Sequence, residues 1–147
     1  MTVEYWLTAA TTAVVVTLCT ALHYETLRLI SNRVPLLKAP PRPRIILLIL
    51  VLLILHVVEI WLFGAAYYFL LATADQSALV GASALSIVDC VYFSATVFST
   101  VGFGDISPIG PIRFLAGTEA VAGLTFITWS ASYTYLVMQN TWKFDSD

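Results

Sequence analysis

From Ile45 to Leu71 the chain carries an acidic or basic side chain only at His56 and Glu59, and everything between them is apolar or small. A helix that crosses a bilayer needs about 20 mainly apolar residues, and a helix apolar on all sides suits lipid better than the surface of a globule. Two more stretches, Tyr5 to Glu25 and Ile112 to Met138, are long enough to be read as spans. The first is rich in threonine, so its hydroxyls are expected to bond within the helix or to neighbours. Composition agrees: 59% of residues are hydrophobic and 11% charged, with mean hydropathy +0.87. That leaves too little polar surface to coat a soluble domain. The start, Met-Thr-Val-Glu, lacks a basic n-region, so the first helix is expected to remain in the mature protein.

Charge sets the expected topology. Arg28, Arg33, Lys38, Arg42 and Arg44 are gathered between the first two spans with no acidic residue among them. The positive-inside rule makes this linker cytoplasmic, the N-terminus and the segment before the last span external, and the C-terminus cytoplasmic. The cluster is also a candidate contact for anionic headgroups. A net charge of −2 with so local a basic patch argues against nucleic acid as a partner. Cys19 and Cys90 lie in apolar stretches without metal-ligand spacing and are read as free and buried.

A shorter apolar run, Ile87 to Ser99, follows the second span. It cannot cross, and between two spans it reads as a re-entrant helix, tolerated at membrane depth only if its non-helical end is covered by protein or faces a water-filled cavity. That end is Thr100-Val101-Gly102-Phe103-Gly104-Asp105. Two glycines at alternate positions give the backbone access to conformations closed to other residues, so that successive carbonyls can turn toward one axis. Rings of such carbonyls from four chains replace the hydration shell of a cation, with the threonine hydroxyl closing the row. Val101 and Phe103 are expected to point away from the axis and pack behind it. Asp89, in the first turn of the short helix, suits the positive end of its dipole, and the negative end would favour a cation below the row.

Ser99-Thr100-Val101-Gly102-Phe103-Gly104-Asp105 between two hydrophobic helices resembles the signature of the potassium channel pore-loop superfamily. The resemblance covers roughly residues 45 to 138 and implies a two-helix pore domain with a re-entrant pore helix and a selectivity filter; the N-terminal helix is an addition to that pattern. Together with the apolar stretches it gives an expected all-α membrane protein with three transmembrane helices, divided into an N-terminal helix (1–27), a basic linker (28–44), a pore domain (45–138) and a short tail (139–147). Within the pore domain the outer helix is 45–71, the pore helix 87–99, the filter 100–104 and the inner helix 112–138. It also implies a homotetramer, since each chain has one pore loop, and K+ as permeant ion with no cofactor. Phe103 stands where many members have tyrosine. Tyr92 and Phe93 lie where the family has an aromatic cuff, and Thr96 where some members have an acidic residue bonding behind the filter. Asp105 suits a negative ring at the outer mouth. Gly123 lies near the family's hinge position and Gly117 is a second candidate; for each, close helix packing is the alternative.

Ionisable groups within spans are costly and need partners. His56 and Glu59, three apart on one face, are expected to bond to each other, as a structural pair or as a proton or metal sensor. Glu119 is expected either to accept bonds from pore-helix hydroxyls, Ser94 or Thr96, or to snorkel outward beside Arg113. His23 and Glu25 read as a solvated helix end. No helix carries regularly spaced arginines, so a voltage sensor of the usual kind is not expected. With no nucleophile and base pairing and no phosphate loop, the chain is not expected to be an enzyme. The rival readings are a poorly selective cation channel and a non-conducting regulatory subunit. A bacterial-type inner membrane is the expected location.

Overall fold

A computed structural model of the chain describes residues 3–33, 40–73, 76–82 and 86–143. Within these residues four helices and two short paired strands follow in the order α1 (Val3–Arg33), α2 (Pro41–Thr73), β1 (Ala78–Val80), α3 (Ile87–Phe98), β2 (Ser107–Ile109) and α4 (Ile112–Lys143). At 1.5 Å per residue α1, α2 and α4 are each roughly 46–50 Å long, more than a hydrocarbon core requires. Among the described residues, α1 and α2 are both long and apolar enough to cross a membrane. α4, the third expected span, is as long but less apolar, because Thr118, Glu119, Thr125, Thr128, Ser130, Ser132 and Thr134 dilute it.

What is buried and what is exposed are inverted relative to a soluble protein. Leu18, Leu50, Leu53, Ile54, Val57 and Trp61 face outward, whereas Thr8, Thr12, His23, Glu59, Ser94, Glu119 and Ser130 are buried. Lipid makes this the low-energy arrangement: apolar side chains lose nothing by facing it, and polar groups must find partners inside. The threonines of α1 solve the same problem locally. Thr8, Thr12, Thr17 and Thr20 each donate to the carbonyl four residues earlier, at 2.7–2.8 Å.

α1 buries one stripe, Thr8, Thr12, Val15, Cys19, His23, Leu27 and Ile30, at helical spacings of three and four. The stripe packs on α4 as well as on α2, so the N-terminal helix is not simply an outer appendage of the second. Toward one end, Leu27 and Ile30 meet Leu48, Leu52 and Leu55, with Tyr133 and Val137 against them. Toward the other, Val15 and Cys19 join the larger core of Phe63, Tyr67, Leu70, Phe93, Phe98 and Leu115. Both cysteines are free and buried.

Several element bounds differ from the expected ones: α2 runs two residues further at its end, to Thr73, and α4 continues to Lys143, into the expected tail. α1 continues to Arg33, so Arg28 and Arg33 sit in its final turns instead of in a linker, and Arg28 donates to Glu25 at 3.0 and 3.1 Å. Basic residues are at home at that end of the helix dipole. α2 begins at Pro41, placing Pro43 and two arginines in its first turn. Proline is tolerated there because the amides of a first turn have no intrahelical acceptor. Lys38, the remaining linker cation, lies outside the described residues, as do residues 144–147 of the tail.

A two-stranded antiparallel ribbon, its strands separated in sequence by α3, is a departure from an all-helical chain. β1 and β2 pair antiparallel with Leu79 opposite Pro108, tying the segment before the short helix to the segment after residues 100–105. Gly81 and Gly110 close it with positive φ, and a Cβ on either would strike the Asp105 or the Gln76 carbonyl. The Gln76 amide also donates to the Glu4 carboxylate at 3.2 Å, which fastens the start of α1 to the same end of the molecule.

Candidate functional site

The short helix α3 is fixed at both ends. Ser86 caps it, its hydroxyl accepting from the Val88 amide at 3.2 Å, and Asp89 sits in the first turn where the dipole is positive. At the other end Ser99 caps the helix and the Thr100 amide bonds back to the Val97 carbonyl at 2.9 Å. The axis is held against α2 by a close approach at Gly64, where a Cβ would sit 2.6 Å from Val91 Cγ2.

The chain then changes hand at every second residue. Thr100, Gly102 and Gly104 have φ of 59°, 52° and 82°, with Val101 and Phe103 between them in ordinary conformations. Glycine adopts the left-handed region freely; threonine does so at a cost of order 1–3 kcal/mol, which the surroundings must offset. The Gly102 amide donates to the Thr96 carbonyl at 3.1 Å and anchors the segment to the end of α3. A backbone alternating in this way presents carbonyls repeatedly to one side, an arrangement suited to coordinating dehydrated cations.

Within one chain the whole segment from Thr100 to Asp105 is exposed. Val101 and Phe103, expected to pack behind the row, are 56% and 71% exposed. Their own chain does not cover them: it contributes a shallow depression beside the segment, lined by Phe93, Thr96, Val97, Ile106, Ala116 and Ala120 among others.

Glu119 of α4 stands behind α3, fully buried. The Tyr67 hydroxyl of α2 donates to Glu119 Oε2 at 2.5 Å, and the Ser94 hydroxyl lies 2.5 Å from Oε1 and 2.9 Å from the Ile60 carbonyl. One carboxylate thus joins α2, α3 and α4. The alternative of snorkelling beside Arg113 does not hold for a side chain without solvent contact. Thr96, the other expected donor, bonds to the Phe93 carbonyl at 2.8 Å, since its hydroxyl satisfies its own helix and points away from Glu119. Phe93 is buried edge-on to Tyr67 at 5.0 Å, whereas Tyr92 is exposed.

At the far end of the segment the Tyr92 hydroxyl donates to Asp105 Oδ2 at 2.7 Å, and Asp105 Oδ1 accepts from the Ile106 amide at 3.0 Å. The segment is therefore clamped from α3 at its start, through Gly102, and at its end, through Asp105. The acceptor carboxylate raises the Tyr92 phenol above its ordinary pKa.

The two glycines of α4, Gly117 and Gly123, have different surroundings. A Cβ at Gly123 would collide with the Phe98 carbonyl, so α4 passes directly under the end of α3 only because this residue has no side chain. Gly117 meets nothing within 4 Å.

His56 and Glu59 do not bond to each other. Glu59 instead meets His23 Nδ1 at 2.9 Å, and His56 Nε2 lies 3.3 Å from the Ser130 hydroxyl. His23, read as part of a solvated helix end, has no exposed surface, because α1 continues well beyond it. Nothing in the sequence pattern alone singles out Tyr67, His23, Ser130 and Gly64 for these contacts.

Residues 55–140 match the protein-family model described as ion channel. No curated protein and no solved structure matches the chain.

Proposed function

The chain belongs to the ion channel family, and from that premise we propose that four copies of it close a potassium-selective pore with Thr100 to Gly104 as the filter. The observation that carries this reading is the alternation of hand at Thr100, Gly102 and Gly104. It fits a row of carbonyls facing a common axis, the coordination that replaces the hydration shell of a cation. The exposure of Val101 and Phe103 in a single chain supports an assembly in which neighbouring copies cover them. Copy number four follows from one pore loop per chain and a closed ring of carbonyls.

In this reading α2 is the outer helix, α3 the pore helix and α4 the inner helix, with α1 as an additional span. The N-terminus lies on the filter side, supported by the Glu4 contact to Gln76, and the basic end of α1 with the start of α2 lies in the cytoplasm. Arg28, Arg33, Arg42 and Arg44 are placed there to meet anionic headgroups. Asp105 supplies one carboxylate per chain to the outer mouth, concentrating cations at the entrance. Tyr67, Ser94 and Glu119 brace the pore helix, and the protein does no covalent chemistry.

Potassium flux into liposomes holding the purified protein tests the proposal, with sodium as competitor and barium as blocker. Selective, barium-sensitive flux that disappears in Gly102→Ala is expected, since alanine at φ 52° costs about 1–2 kcal/mol per chain and misaligns the row. Flux that persists unchanged in Gly102→Ala would contradict the assignment of the filter.

A further inference from the structure

Three helices bring nitrogen and oxygen donors to one buried point away from the filter. His23 comes from α1, His56 and Glu59 from α2, and Ser130 from α4. One ligand atom from each of His23, His56 and Glu59 lies within 4.8 Å of the others. His23 and Glu59 have no exposed surface, while His56 is partly exposed and offers a side from which the point can be reached.

A hydrogen-bonded cluster does not satisfy all of these groups. Glu59 Oε1 meets His23 Nδ1 at 2.9 Å, but Glu59 Oε2 is buried with no partner. The Ser130 hydroxyl, with a single proton, stands 3.3 Å from the Nε2 atoms of both histidines. A buried carboxylate oxygen left without a donor is costly and rare in native proteins. A cation would supply the missing partner.

We propose that His23, His56 and Glu59 form a binding site for a divalent transition cation of the Zn2+ class, with the Ser130 hydroxyl against the ligand shell. Two imidazoles and one carboxylate suit a borderline first-row ion; hard cations such as Ca2+ and Mg2+ prefer oxygen alone. Bonds of about 2.0–2.1 Å in a tetrahedral site set ligands roughly 3.4 Å apart, so occupancy draws together ligand atoms that now lie within 4.8 Å of one another. The rings are held for the task. His23 stacks on Phe126 at 5.1 Å and leans on Trp129, and His56 meets the edge of Phe98 at 6.0 Å.

Occupancy would tie α1 to α2 beside α4. Phe98, the last residue of the pore helix, touches the His56 ring, so the site is continuous with the support of the filter. Metal binding itself requires neither conduction nor a particular copy number, and its test is separate from the flux test.

Full-length protein, freed of any affinity tag and stripped with chelator, is titrated with Zn2+, and the metal retained after desalting is counted. Co2+ is then used as a spectroscopic probe. About one Zn2+ per chain and the visible absorption of four-coordinate Co2+ are expected. Glu59→Gln and His56→Gln should each weaken Zn2+ at least 10-fold, by analogy with the effect of losing supporting groups, while eluting from a sizing column as the wild type does. If Glu59→Gln misfolds, His56→Gln decides, because His56 is only partly buried. Folded wild type that retains no stoichiometric Zn2+, or variants that bind as the wild type does, would overturn the proposal.

Discussion

At the scale of single residues, Glu119 is the buried group that ties α2, α3 and α4 together. Glutamine in its place keeps the shape but exchanges one acceptor oxygen for an amide donor; Ser94 keeps the Ile60 carbonyl as an acceptor, and one of the two short bonds to the carboxylate is lost. A buried hydrogen bond lost in this way costs about 1–3 kcal/mol. Glu119→Gln should therefore lower the thermal midpoint of the purified protein and hasten loss of conduction during sustained activity. An unchanged midpoint would place the support elsewhere. The Tyr92 to Asp105 clamp is exposed and holds the end of the 100–105 segment, so under the proposed function Tyr92→Phe should leave ion preference intact while shortening open periods. Its pH dependence has a defined sign. The phenol is raised above its ordinary value, so the clamp is complete throughout the neutral range and is lost only as pH rises past that raised value, above about pH 10. Recordings at neutral and strongly alkaline pH should show wild type approaching Tyr92→Phe only in the latter.

At the scale of elements, the crossing of α4 under α3 rests on Gly123. Alanine there must displace the Phe98 carbonyl, an overpacking that costs about 1–3 kcal/mol against a gain in helix propensity of at most about 1. Gly117→Ala meets no such obstacle in its own chain. Gly123→Ala is expected to lower stability and conduction, and Gly117→Ala to leave stability equal or higher; the order is read from thermal melts of the two variants side by side. The elements also differ in how far sequence reveals them. The alternating backbone of residues 100–104 is legible because glycines at alternate positions after a short apolar helix suit little besides a backbone that alternates in hand. Glu119 near Ser94 is legible from the need of a buried carboxylate for donors. His23 is not, because the charge at Glu25 resembles the end of a span, although the stripe from Thr8 through Thr12, Val15 and Cys19 to His23, Leu27 and Ile30 keeps one face buried past that point. The stripes of α2 and α4 place Glu59 and Ser130 opposite it, a register that only packing reveals. The strand pair escapes notice because each strand has three residues and α3 lies between them, with Gly81 and Gly110 marking their ends.

At the scale of the whole molecule, a single chain leaves its functional segment bare. Apolar Val101 and Phe103 beside an exposed row of filter residues make little sense for an isolated subunit in lipid or water. They make sense when copies surround an axis, each covering part of the next and all directing carbonyls inward. The apolar outer faces of the helices supply the rest: lipid outside, an apolar core with buried polar groups within, and a bare polar backbone tolerated only where it lines a cavity. Selectivity is then a property of the assembled ring. It is most directly measured as the reversal potential of the reconstituted protein with potassium on one side of a bilayer and sodium on the other. The expected reversal potential is displaced far toward the potassium equilibrium value, collapsing toward zero in Gly102→Ala if any current remains. A wild-type reversal potential near zero, with current flowing, would contradict a potassium-selective filter at Thr100 to Gly104.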